Sequence, residues 1–85
     1  MTEEPVLLTK AGLLRLEEEL QELRTVKRAE VAEAIREAQE LGPDQLDAQY
    51  EAAKNQQAFL EGRIAEIEHL LEAATIIDEE SAAKS

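Results

Sequence analysis

One dipeptide, Gly42-Pro43, splits this chain into two arms that each carry an apolar seam, and that split is the strongest constraint on its fold. In the first arm Leu13, Leu16, Leu20 and Leu23 recur at alternating steps of three and four, the pattern of a coiled-coil seam. Continuing the heptad would put Lys27 and Glu30 in the seam, but apolar positions resume only at Val31, Ala34, Ile35, Ala38 and Leu41. The step from Leu23 to Val31 is a stutter, which locally unwinds a supercoil. The second arm runs Leu46, Tyr50, Ala53, Gln57, Leu60, Ile64, Ile67, Leu71 and Ala74, with Gln57 as its one polar member.

Between the arms, Gly42 suits the position just past a helix end and Pro43 cannot continue a helix. One uninterrupted helix would carry Pro43 in mid-shaft, at a cost of about 3 kcal/mol or more. The arms must therefore fold back to bury their seams. The predicted fold is all-α: a long antiparallel coiled-coil helical hairpin, with a helix over about 9–41, a tip at 42–45 and a second helix over about 46–75. Each arm would reach roughly 45 Å at a rise of about 1.5 Å per residue. Folding about the tip sets Gln57 at the level of Lys27 and Glu30. Thr9 is the predicted N-cap of the first helix, with Leu7 or Leu8 packing back on Leu13. Ile76 and Ile77 are placed at the base beside Val6 and Leu7, and "DEESAAKS" reads as a polar tail.

The composition agrees. A chain of 85 residues with 34% charged side chains, two aromatics (Tyr50 and Phe59) and an abundance of Ala, Leu and Glu is that of long helices. There is no cysteine and His69 is the one histidine, which removes disulfides and structural zinc. No basic leader and no apolar run of membrane-spanning length is present, so the expectation is a soluble cytoplasmic protein with no membrane partner. A net charge of −11 disfavours binding to free DNA. No Gly-rich phosphate loop, Ser–His pair or zinc spacing marks an independent enzyme.

Two of the three aspartates, Asp44 and Asp47, gather at the break. One reading is local: aspartate is a favoured N-cap, and an acid in the first turn suits the helix dipole. The other is functional. Residues i and i+3 share a helix face, with Cβ atoms about 5–6 Å apart, so two exposed carboxylates at the end of a rod can reach one hard cation. Mg²⁺ takes few carboxylates, so such a pair binds it weakly unless a partner supplies the other ligands.

The stretches "LLTKAGLLRLEEELQELRTVKRAEVAEAIREAQELG" and "AQYEAAKNQQAFLEGRIAEIEHLLEAATIID" cover nearly the whole chain. They resemble the N-terminal coiled-coil domain of the bacterial Gre transcript-cleavage factor family. "LRTVKRAEVAEAIREA" and "YEAAKNQQAFLEGRI" are the most specific parts. The resemblance implies a monomeric hairpin, spanning 1–78, that enters the secondary channel of RNA polymerase. There its tip carboxylates would hold a Mg²⁺ jointly with the polymerase and stimulate cleavage of the 3′ end of backtracked RNA. The chemistry would remain the polymerase's own. It also implies that 79–85 leads toward a C-terminal domain absent from this chain.

At the tip the family pattern Gly-Asp-Leu-x-Glu-Asn-Ala-Glu-Tyr meets "GPDQLDAQY". Aligned without gaps, the acids fall on Pro43 and Leu46, neither of which binds metal. With Pro43 inserted and the Asn lost, they fall on Asp44 and Asp47, at the family's spacing but turned by about 100° relative to Tyr50. The first register implies a relative that enters the channel and inhibits transcription without cleavage. The second implies catalytic and metal-binding roles for Asp44 and Asp47. A structural coiled-coil module that self-associates is the remaining alternative. The resemblance also gives Arg36, Lys54 and Tyr50 contacts with the RNA 3′ end or the polymerase. Against this, Arg36 and Lys54 read from the residues alone as partners of Glu33 and Glu51, and Tyr50 as a seam residue. Arg24, Lys27 and Arg28 read as a solvated mid-shaft face.

Overall fold

The computed structural model describes residues 5–41, 43–78 and 80, with the backbone alone for 43–47. A short strand β1 (Val6–Leu8) leads into helix α1 (Lys10–Glu22), and α1 continues through a π-helical turn (Leu23–Lys27) into α2 (Arg28–Gln39). Helix α3 (Pro43–Ala73) returns along them, and strand β2 (Ala74–Ile76) follows. The molecule measures 58 × 30 × 18 Å, with a radius of gyration of 18.0 Å, against about 12 Å for a compact domain of this length. The antiparallel helical hairpin expected from the two seams is the fold.

Each boundary has a local cause. Thr9 is extended, and its hydroxyl oxygen accepts a bond from the Gly12 N–H at 3.1 Å, capping α1 as the sequence indicates. The end of α2 tightens, with Glu40 N–H donating to the Glu37 carbonyl (3.1 Å) and Leu41 N–H to that of Ala38 (3.2 Å). Helix α3 opens at Pro43, three residues earlier than predicted, in the first-turn position that proline tolerates best. The expectation for Gly42 concerns a residue outside those described.

Every described seam position is buried or half-buried. Leu20, Leu60, Ile64 and Ile67 form the core, and Leu16, Leu23, Val31 and Leu71 pack on it. Ile67 is fully enclosed. Toward the bend the enclosed residues are alanines, Ala38 and Ala53, so the hairpin has a Leu/Ile-lined base and an Ala-lined arm. Lys27 and Glu30, which an unbroken heptad would bury, are exposed and pair with each other at 3.4 Å.

The base holds a feature the sequence reading lacked. Strands β1 and β2 pair in parallel, with Val6 opposite Ala74, Leu7 opposite Thr75 and Leu8 opposite Ile76. The Ile77 N–H extends the ladder to the Leu8 carbonyl at 2.8 Å. The whole hairpin is thus the crossover that a parallel pair requires. Ile76 and Ile77 do meet the Val6–Leu8 segment at the base, through backbone hydrogen bonds.

Candidate functional site

The bend is where chemistry-bearing residues collect. Asp44 and Asp47 belong to the first turns of α3, so their backbone spacing is helical and both start from one face. Asp44 follows Pro43 inside the helix and is therefore not its N-cap, a correction to the local reading. The side chains of both aspartates lie outside the described residues. Among the described residues no cluster of three or more His, Cys, Asp or Glu side chains could hold a metal ion.

Arg36, on the last turns of α2, is clamped by Glu33 of its own helix and by Glu40 at the helix's C-cap. Its Nε donates to Glu33 Oε2 at 3.0 Å and its Nη1 to Glu40 Oε1 at 2.6 Å, and Nη2 also meets Glu33. The hydrogen bond to Glu33 raises the Arg36 pKa, and that guanidinium holds the Glu33 carboxyl below its ordinary value. Lys54 donates to Gln57 Oε1 at 3.0 Å, which satisfies the polar seam residue; the expected Glu51–Lys54 pair is replaced by this bond. Tyr50 is half-buried in the seam, as its spacing indicates. It shares a face of α3 with Lys54, four residues on. A shallow groove of about 210 Å³ between the arms is lined by Ala34, Glu37, Gln49, Ala52, Ala53 and Gln56.

The mid-shaft cations do more than the sequence reading assigned them. Arg28 reaches α3 and grips Glu61 with both prongs of its guanidinium, at 2.9 and 2.7 Å. Arg63 grips Glu19 in the same way, at 2.8 and 2.9 Å, and Arg24 pairs with Glu68. These bidentate bonds lower the pKa of Glu61 and of Glu19. Only the hairpin register brings the pairs together, joining residues 33 to 44 positions apart in sequence, which a search for neighbours along one helix does not find.

The geometry is that of an elongated rod of two antiparallel helical arms. A family model described as "Transcription elongation factor, N-terminal", of GreA and GreB, matches residues 6–76. The chain belongs to this family. It is 57% identical over 76 residues to the transcription elongation factor GreA of Thermoanaerobacter pseudethanolicus, an overlap of 89% of this chain and 48% of that one. To GreA of Chloroflexus aggregans it is 54% identical over 82 residues, 96% of this chain and 52% of the relative. To GreA of a Roseiflexus species it is 54% identical over 81 residues, 95% and 52%. The chain thus spans about half the length of the curated relatives it matches. Both arms and the bend fall inside the matched region.

Proposed function

We propose that this hairpin is the RNA polymerase-binding domain of a bacterial transcription elongation factor, which acts in the cytoplasm as a monomer. It inserts its bend into the secondary channel and stimulates cleavage of backtracked RNA. The observation that carries the reading is the family match across 6–76, which takes in the bend. The elongated shape, 58 × 30 × 18 Å, supports a domain that inserts end-on, and no helix among the described residues is long and apolar enough to cross a membrane.

In this reading Asp44 and Asp47 lend carboxylate oxygens, the donor type that Mg²⁺ prefers, to a site whose other ligands belong to the polymerase. Their i, i+3 placement on helical backbone fits such a shared ion. A shared Mg²⁺ would activate water for phosphodiester hydrolysis. The domain itself is no enzyme: it adds ligands to an active site elsewhere. Arg36, Lys54 and Tyr50 face the RNA 3′ end or the channel wall, and Arg36 approaches a phosphate only by releasing Glu33 or Glu40.

One observation favours a second reading. Helix α3 runs unbroken from Pro43 through Tyr50, so the 100° offset of the acids relative to Tyr50 is carried through uncorrected. A domain with misaimed acids would occupy the channel and inhibit without cleaving.

The test is RNA cleavage in a stalled, backtracked polymerase complex with Mg²⁺, with the domain in large excess. Faster cleavage that disappears in an Asp44→Ala/Asp47→Ala double variant supports shared metal binding. Slower nucleotide addition without faster cleavage supports the inhibitor. No effect on either, at concentrations shown to bind, refutes both and leaves a structural coiled coil.

A further inference from the structure

A straight seam cannot pass from α1 into α2. Leu13, Leu16, Leu20 and Leu23 set a heptad frame whose later members are Lys27, Glu30, Ala34, Glu37 and Leu41; the three charged ones are exposed, while the small Ala34 and the terminal Leu41 are half-buried. Val31, Ile35 and Ala38 take the inward places instead, each one residue late, with Ala34 and Leu41 half-buried beside them. In a regular α-helix the eight residues from Leu23 to Val31 turn about 800°, leaving Val31 roughly 80° past the face of Leu23. A π turn absorbs one residue without advancing the face. The offset then becomes about 20° the other way, the drift of an ordinary heptad.

The π turn lies where this arithmetic requires, at Leu23–Lys27, after the last residue of the first frame and before the first of the second. The Arg28 N–H bonds back five residues to the Leu23 carbonyl. Within the turn the Thr25 hydroxyl donates to the Gln21 carbonyl at 2.7 Å, a back-bond that bends helices. Cross-helix ion pairs hold both ends, Arg24 with Glu68 and Arg28 with Glu61. Val26 points outward, 47% exposed.

We infer that Leu23–Lys27 is a phase joint. It stores one surplus residue as a π turn, holds the Leu/Ile-lined base and the Ala-lined arm on the same face of α3, and can lose that residue without loss of the fold. Removing Val26 puts the Arg28 N–H and the Leu23 carbonyl four residues apart, so the same hydrogen bond becomes an ordinary α-helical one. The seam step becomes seven and the ion pairs keep their faces. Helix α3 has no such reserve: removing its exposed Ala58 would turn Leu60, Ile64 and Ile67 by about 100° relative to Ala53.

The experiment compares thermal melts, followed by far-ultraviolet circular dichroism, of the full chain and three variants. These lack Val26, lack Ala58, or carry one extra alanine after Val26. The expected result is a melting temperature within about 4 °C of the parent for the Val26 deletion. The Ala58 deletion and the insertion should each fall by at least about 15 °C. A Val26 deletion that costs as much as the Ala58 deletion would overturn the inference, and so would an Ala58 deletion tolerated equally well. A through-bond coupling between the Arg28 amide nitrogen and the Leu23 carbonyl carbon, measured by NMR, should persist in the Val26 deletion. Its loss from a folded variant overturns the inference independently.

Discussion

Ile67 and Phe59 are both large apolar residues of α3, eight positions apart, and their burial is opposite: Ile67 is 0% exposed and Phe59 is 82% exposed. Ile67→Ala removes three carbons from the centre of the Leu20–Leu60–Ile64 cluster. Transfer alone makes that about 2.4 kcal/mol, at about 0.8 per methylene. The unfilled space adds about 1 kcal/mol, and the better helix propensity of alanine returns about 0.4, for a net loss of about 3 kcal/mol. The whole stability of a chain this size is about 4–13 kcal/mol, so the variant should melt about 12–24 °C lower. In urea its midpoint should fall at an unchanged slope. Phe59→Ala should stay within about 0.5 kcal/mol of the parent despite deleting the larger side chain. A cost above about 1 kcal/mol for Phe59→Ala, or below that for Ile67→Ala, would refute the assignment of the core to the Leu20–Ile67 seam.

Three further outcomes follow from particular contacts. Arg28 holds the Glu61 carboxyl below its ordinary value of 4.5, so this charge stabilises the fold above that range and the contribution is lost as pH falls through the folded value. Glu61→Gln should therefore melt below the parent at pH 7, with the gap narrowing progressively as pH falls below 4.5; a gap that does not narrow at all on acidification argues against the Arg28 pair as its source. Gly62 sits inside α3 with nothing within 4 Å of an added Cβ and no positive φ. Gly62→Ala should raise stability by about 0.5–1 kcal/mol in urea denaturation, and any loss contradicts the open surface described for it. Thr9→Ala removes the bond to the Gly12 N–H and should cost about 1 kcal/mol by the same assay.

Much of this fold was legible because coiled-coil burial is periodic. Alternating steps of three and four name the inward positions without knowledge of the partner arm, and Gly42-Pro43 names the bend. The stutter at Leu23–Val31 announced a local unwinding, though not that it would close as a π turn, because a stutter can also be spread over many turns. The strand pair was hidden for a different reason. "VLL" and "ATI" are too short to show alternation, and their pairing depends on the hairpin first bringing the two ends of the shaft together. The ion pairs Arg28–Glu61 and Arg63–Glu19 were hidden likewise: charge pattern along one helix says nothing about which face of the other it will meet.

The bend resists reading for a reason the two arms expose by contrast. The first arm meets a one-residue mismatch of phase and absorbs it in a π turn. From Pro43 to Ala73 the second arm is continuous α-helix, so a one-residue change at "GPDQLDAQY" has nowhere to be absorbed. Asp44 lies six residues before Tyr50 and Asp47 three, where the pattern that the sequence resembles has seven and four; in the register with Pro43 inserted, each acid would be turned by about 100° about the helix axis. Inserting one asparagine between Asp47 and Ala48 restores the family spacing while leaving the seam from Tyr50 onward untouched. If the acids act in their present phase, as proposed, the insertion lowers cleavage stimulation toward that of the Asp44→Ala/Asp47→Ala variant. If cleavage appears only in the insertion variant, the natural chain is a channel-binding relative whose acids point away from the reaction.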